Sequence, residues 1–132
     1  MLCATYTVDD MSALYVVEAE PEVRAWLELL SGKHFRKVEG YVEVLAEFGL
    51  QTPMPYARPL RDGVSELRPT LDGVATRVTF WVTEDRRIVL LTVFRKTRQR
   101  EEAQISRAAL VKKECEASHL PAHTVFSRKE GE

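Results

Sequence analysis

Residues Ile88 to Phe94 (IVLLTVF) carry apolar side chains at every position but Thr92, with no alternation. A β-forming run that is apolar on both faces belongs in the middle of a sheet covered above and below, so the rest of the chain must supply two layers around it. The residues before it supply the neighbouring strands. Asp72-Gly73 is a turn signal, and from Val74 to Thr83 the side chains alternate. Val74, Thr76, Val78, Phe80 and Val82 share one face, which reads as core. Ala75, Arg77, Thr79, Trp81 and Thr83 share the other, which reads as a platform. Glu84-Asp85-Arg86 fits the hairpin tip between these runs, and Asp62-Gly63 turns the chain into an earlier strand, Val64 to Arg68. The second half is therefore expected to be an antiparallel meander.

The first half supplies a cover. Ala13 to Val17 reads as a short strand, after which Pro21 opens a helix with Val23, Trp26, Leu27 and Leu30 on one stripe and Gly32 as its left-handed stop. A second helix carries Val38, Tyr41, Val42, Leu45 and Phe48 and closes on Gly49. The short link predicts an antiparallel helical hairpin, and helices this short need a sheet to pack on. Residues 51–59 hold three prolines and read as an extended loop, neither helix nor central strand. A third helix is expected from Arg98 to about Ala117, with a weak stripe of Ile105, Ala108, Ala109 and Cys115. The expected fold is α+β over one domain, residues 1–132, with 1–12 and 120–132 loosely ordered.

Charge narrows the functional classes. A net charge of -1 and a pI near 6.3 exclude indiscriminate coating of nucleic acid, yet the total hides an asymmetry. Residues 1–57 hold 4 Lys/Arg against 9 Asp/Glu, and residues 58–132 hold 15 against 11, so the halves suit different partners. No run is long and apolar enough to span a bilayer, and the start lacks the pattern of a secretory signal, so a cytoplasmic address is expected. Cys3 and Cys115 lack disulfide or zinc-ligand spacing and read as inert thiols.

Four systems compete for chemistry. Arg61, Arg68, Arg77, Arg95, Lys96, Arg98 and Arg100 form a cationic set on the meander, with Glu66 and Arg68 on one side of their strand. Guanidinium forks bind phosphate bidentately and stabilise a pentacovalent phosphate, while the plainer reading is a solvated charged face. His119 and His123 stand four apart, but Pro121 between them disfavours a helical metal site; a general acid or base role in RNA cleavage is the alternative. No G-x-S-x-G or nucleotide-binding glycine motif occurs, and Ser65 has no histidine partner in the pattern. Phe80 reads as core, and Trp81 as packing under the third helix in preference to stacking a base.

The strings AWLELL and YVEVLAEFG within residues 25–49, L-x-D-G-x-x-E-L-R at Leu60 to Arg68, the strand holding Arg77, and F-x-K at Phe94 to Lys96 carry a resemblance. Over residues 13–117 the chain resembles the phage-derived HigB-like branch of the RelE/ParE toxin superfamily. The resemblance implies the toxin of a type II toxin-antitoxin pair: a ribosome-dependent endoribonuclease that cleaves mRNA without metal or other cofactor. It also implies neutralisation by a cognate helix-turn-helix, HigA-like antitoxin, and no membrane partner. Matched by position, Arg68, Arg77 and Lys96 are the expected catalytic residues, with Arg61, Arg95, Arg98 and Arg100 binding RNA. The chain departs from that branch at Ser65, where an aromatic residue is usual, at Thr97, which interrupts paired lysines, and in its mild acidity. A non-catalytic protein-binding module and a gyrase-poisoning ParE-type toxin are the alternative functions on this scaffold.

Overall fold

The computed structural model describes residues 15–97, 101–118 and 124–125. The elements run β1 (Val16–Ala19), α1 (Pro21–Leu29), α2 (Gly32–Phe48), a 3-10 turn (Gly49–Gln51), β2 (Ala57–Pro59), β3 (Ser65–Leu67), β4 (Thr70–Leu71), β5 (Val74–Val82), β6 (Arg87–Arg95), α3 (Glu101–Ser118) and β7 (Thr124–Val125). This is the expected α+β, RelE-like arrangement. The sheet order is β2-β3-β5-β6-β1-β7, with β4 paired to the beginning of β5. The meander from β2 through β3 and β5 to β6 is antiparallel, whereas β1 joins β6 in parallel, Val17 opposite Ile88. That parallel pair is possible because α1, α2 and the meander together form the long crossover that parallel neighbours require.

Alternation along β6 explains the two layers. Ile88 and Leu90 meet Val23, Leu27, Phe35, Val38, Val42 and Leu45 of the helical hairpin, along with Val78 and Phe80 of β5. Val89 and Leu91 point the other way, against Val64, Trp81 and Ala108 of α3. Burial of each such Leu, Ile or Phe side chain contributes about 1.5–3 kcal/mol, so the strand anchors both cores. The register shifts between Thr79 and Phe80: Thr79 pairs with Thr92 but Phe80 with Leu90, leaving Leu91 as the extra residue of a β-bulge.

Turn chemistry follows the sequence closely. Asp62 and Gly63 take φ of 59° and 75°, and Asp72 and Gly73 take 49° and 80°, the paired positive values that tight hairpins require. Gly49 ends α2 at φ 57°, as expected, and a Cβ there would meet the Tyr15 ring at 2.5 Å. Gly32 is not the left-handed stop of α1 that the pattern predicts. It begins α2 instead of stopping α1: Leu30 is extended, and Ser31 caps α2 by accepting the His34 N–H at 3.1 Å. Residues 57–59 also emerge from the proline-rich segment as a strand, but at the sheet's edge, where Pro59 is tolerated. Val74 is exposed although it alternates with core positions, because it opens β5 beside the Asp72-Gly73 turn.

The third helix has almost no apolar periodicity, and its attachment reflects that. Ala108 is buried while Leu110 is exposed, and ion pairs do much of the docking. Arg107 grips Glu22 of α1 at 2.6 and 3.0 Å. Glu22 in turn accepts the Val93 N–H at 3.0 Å, and Arg107 reaches the Val93 carbonyl at 3.4 Å. The pair thereby satisfies the stretch of β6 that runs past the end of β1. Among the described residues no helix is long and apolar enough to cross a membrane.

Candidate anion-binding site

The antiparallel register of β2, β3 and β5 places Arg58 opposite Glu66, and Glu66 opposite Thr79. Glu66 is a charged residue at a fully buried strand position, which is costly unless the charge is paired. It is paired three times, on one oxygen. Arg68 donates to Glu66 Oε2 at 2.6 Å, Arg58 lies 3.2 Å from the same atom, and Arg77 Nε lies at 3.6 Å. Arg58 comes from the edge strand, Arg68 from the end of β3 and Arg77 from β5, so three separate segments meet at one carboxylate.

The three guanidiniums differ in access. Side-chain exposure falls from 43% for Arg58 to 17% for Arg68 and 6% for Arg77, so Arg58 and Arg68 face solvent while Arg77 lies deepest. Arg77 donates through Nη1 to the Thr76 carbonyl at 2.9 Å, but its buried Nε has no hydrogen-bond partner. Burial and then the adjacent charge of Arg68 push the Arg77 pKa below its ordinary value, while Glu66 opposes that shift. A guanidinium nevertheless stays charged at any working pH. Three positive charges against one negative leave a local surplus of two, which favours an anion at the more exposed guanidiniums of Arg58 and Arg68.

Lys96 extends the site. Its N–H bonds to the Ala75 carbonyl at 2.8 Å, which continues the β5-β6 ladder and sets Lys96 on the face of Arg77. Its ammonium contacts Glu101, the first residue of α3. The Glu101 carboxyl is held below the usual carboxylate range, chiefly by the hydrogen bond from Lys96 and further by the charges of Arg58 and Arg77. Six side chains, from β2, β3, β5, α3 and the residues just past β3 and β6, thus share one electrostatic environment at the α3 N-terminal end of the sheet.

Of the expected catalytic residues, the fold brings Arg68, Arg77 and Lys96 to this place. Arg61 is elsewhere: it bonds Asp62 at 2.7 Å, contacts Glu102 and reaches Ser106 on α3 at 3.0 Å, so it fastens the Asp62-Gly63 turn to the helix. Arg95 does not join it either. It pairs with Thr76, one position out of phase with Arg77, and so leaves the sheet on the opposite face. Arg98 and Arg100 lie outside the described residues, as do Cys3, His119 and His123. The expected platform is mostly covered, because Trp81 packs under α3 with the Lys112 ammonium 4.9 Å from its ring centre.

Three participants carry no clear signal in the sequence. Arg58 lies in a proline-rich segment that reads as a loop, although its position between Ala57 and Pro59 suits an edge strand facing Glu66. Glu66 reads as a partner of Arg68, not as the hub. Glu101 gave no signal beyond being an acid in the first turn of a helix. Among the described residues no group of three His, Cys, Asp or Glu side chains is arranged to hold a metal ion. The half-buried Cys115 has its thiol pKa pushed up, mainly by burial, consistent with an unreactive packing role.

Residues 25–113, about two thirds of the chain, match the profile of the family described as phage derived protein Gp49-like (DUF891), and that span contains the whole Arg58-Glu66-Arg68-Arg77-Lys96-Glu101 constellation. No curated protein matches the chain.

Proposed function

Because the chain belongs to the Gp49-like family of phage-derived, RelE-like and toxin-like proteins, we propose that it is the toxin of a type II toxin-antitoxin pair, a HigB-like endoribonuclease that cleaves mRNA on the ribosome. The observation that supports this reading best is the meeting of Arg58, Arg68 and Arg77 on one carboxylate, with positive charge in excess. In the reaction, the ribose 2'-hydroxyl attacks the adjacent phosphorus as the bond from phosphorus to the 5'-oxygen breaks. The proton leaves the 2'-oxygen, one is delivered to the 5'-oxygen, and a 2',3'-cyclic phosphate remains. Negative charge grows on the phosphoryl oxygens at the pentacovalent stage, and preorganised cations stabilise it more than they stabilise the ground state. Arg58 and Arg68 have the exposure to bind those oxygens. Arg77 acts from beneath by its field and by orienting its neighbours. Lys96 is placed to neutralise charge at the same end of the sheet. The reaction so written needs no metal or organic cofactor.

The partners that accompany this reading are the ribosome with its mRNA and a helix-turn-helix, HigA-like antitoxin, all in the cytoplasm. Primer extension on RNA from cells expressing the protein is expected to show new 5' ends inside coding regions, strongly reduced with Arg58→Ala/Arg68→Ala. Equal signals from the protein and this variant, with both folded by circular dichroism, would overturn the assignment. One observation favours a second reading, a non-catalytic protein-binding module: Arg58, Arg61, Arg68, Arg77 and Lys96 all carry carboxylate neighbours. Unimpaired growth on induction, together with tight co-purification of a small helix-turn-helix protein, would decide for it.

A further inference from the structure

The two carboxylates of the site are held very differently. Glu66 is buried between strands and could not leave without opening the sheet. Glu101 begins α3, its side chain is 29% exposed, and the Lys96 side chain that it contacts is 37% exposed. Glu101 also lies within the field of Arg58 and Arg77, the same cations that surround Glu66. A carboxylate and a phosphodiester each carry one negative charge and accept the same donors, so they compete for one cationic patch.

We propose that Glu101 is the displaceable anion of this site: a bound phosphodiester backbone takes its place beside Lys96 and the arginines, and Glu101 thereby sets how much charge a ligand must bring. This rests on the phosphate-binding reading above and deepens it. Glu66 keeps the arginines fanned, whereas the Lys96–Glu101 pair opens at the rim without disturbing either core. A ligand that reaches only one cation leaves Glu101 on Lys96; an RNA backbone can engage the arginines and Lys96 together and displaces it. Glu101 is thus a specificity-determining residue that disfavours small anions.

The test uses the full chain and an uncleavable single-stranded 2'-O-methyl oligouridylate, followed by fluorescence anisotropy at about 50 mM salt, where surface charges are weakly screened. Glu101→Gln is expected to bind about threefold to tenfold more tightly than the parent, with the gain fading as salt rises. The gain should vanish when Lys96→Gln is also present. Glu102→Gln changes the same charge in the same helical turn, but Glu102 contacts Arg61 and not Lys96, so it should bind like the parent. Equal or weaker binding by Glu101→Gln, or an equal gain in Glu102→Gln, overturns the proposal. If neither the parent nor Glu101→Gln binds the oligomer, the phosphate-binding reading falls with it. Tighter binding by Glu101→Gln without RNA cleavage in cells supports this inference and removes only the nuclease assignment.

Discussion

Replacing Glu66 by Gln keeps the shape of the side chain and one hydrogen-bond acceptor but deletes the charge that three arginines share. With nitrogen atoms 2.6, 3.2 and 3.6 Å from Oε2, each attraction is worth roughly 5 kcal/mol at an effective dielectric near 20. Repulsion among the arginines and the desolvation of Glu66 cancel much of that sum. What remains is the cost of orphaning a buried charge, about 3–5 kcal/mol, and it falls mainly on Arg77. Equilibrium urea unfolding followed by the fluorescence of Trp26 and Trp81 should show the midpoint falling by about 2 M. Substituting the arginines singly by Ala should give costs that rise as exposure falls: about 1 kcal/mol or less for Arg58, more for Arg68 and most for Arg77. Glu66→Gln combined with Arg77→Met should cost less than the sum of the single changes, since it removes both ends of the buried pair. A Glu66→Gln variant within about 1 kcal/mol of the parent would refute the idea that a buried carboxylate organises these arginines.

Other parts of the fold make equally specific predictions. Gly49→Ala places a Cβ 2.5 Å from the Tyr15 ring at positive φ and should cost about 2 kcal/mol or more, whereas Gly40→Ala, in the interior of α2 with nothing within 4 Å, should stabilise by up to about 1 kcal/mol; calorimetric melting shifts of the same sign would contradict this. Thr79 and Thr92 share a buried hydroxyl contact at 2.6 Å, and Thr79 Oγ1 also accepts the Thr92 N–H at 3.1 Å, so Thr79→Val, which removes both bonds, should cost about 1–3 kcal/mol and Thr92→Val, which leaves the second, less; equal denaturation energies for the two would be the contrary result. The Asp72 carboxyl lies below its ordinary value through the hydrogen bond to His34, at 2.9 Å, and the charge of Lys33. A depressed folded pKa contributes stability above the unfolded value and loses it as pH falls through the folded one, so Asp72→Asn should flatten the acid limb of the stability curve below about pH 4; superimposable limbs would count against the link.

The large divisions of the fold were legible because local and global signals agree there. IVLLTVF does lie between two cores, the Asp-Gly pairs do turn, and Gly49 does end its helix. The candidate site was legible only where strand alternation held. Arg68, Arg77 and Lys96 follow from counting along β3, β5 and the end of β6, but the bulge at Leu91 offsets the phase of β6, and the β5 partner that decides the face of Arg95 cannot be read from spacing. Arg58 required knowing that β2 pairs with β3, a long-range fact hidden by the surrounding prolines. Gly32 departs from its pattern because a glycine after an apolar stripe marks a helix end, while here Ser31 supplies the stronger signal for the next beginning. The parallel pairing of β1 is likewise a property of the folded whole, set by where the helical hairpin returns the chain.

The Glu22–Arg107 pair gives the molecule a clasp around the rim of its sheet. Helices that sit on opposite faces and share no core are fastened to each other through the backbone of Val93. Prising α3 from its seat would therefore break the bonds to Glu22 and uncover the Val93 carbonyl on the flank of β6.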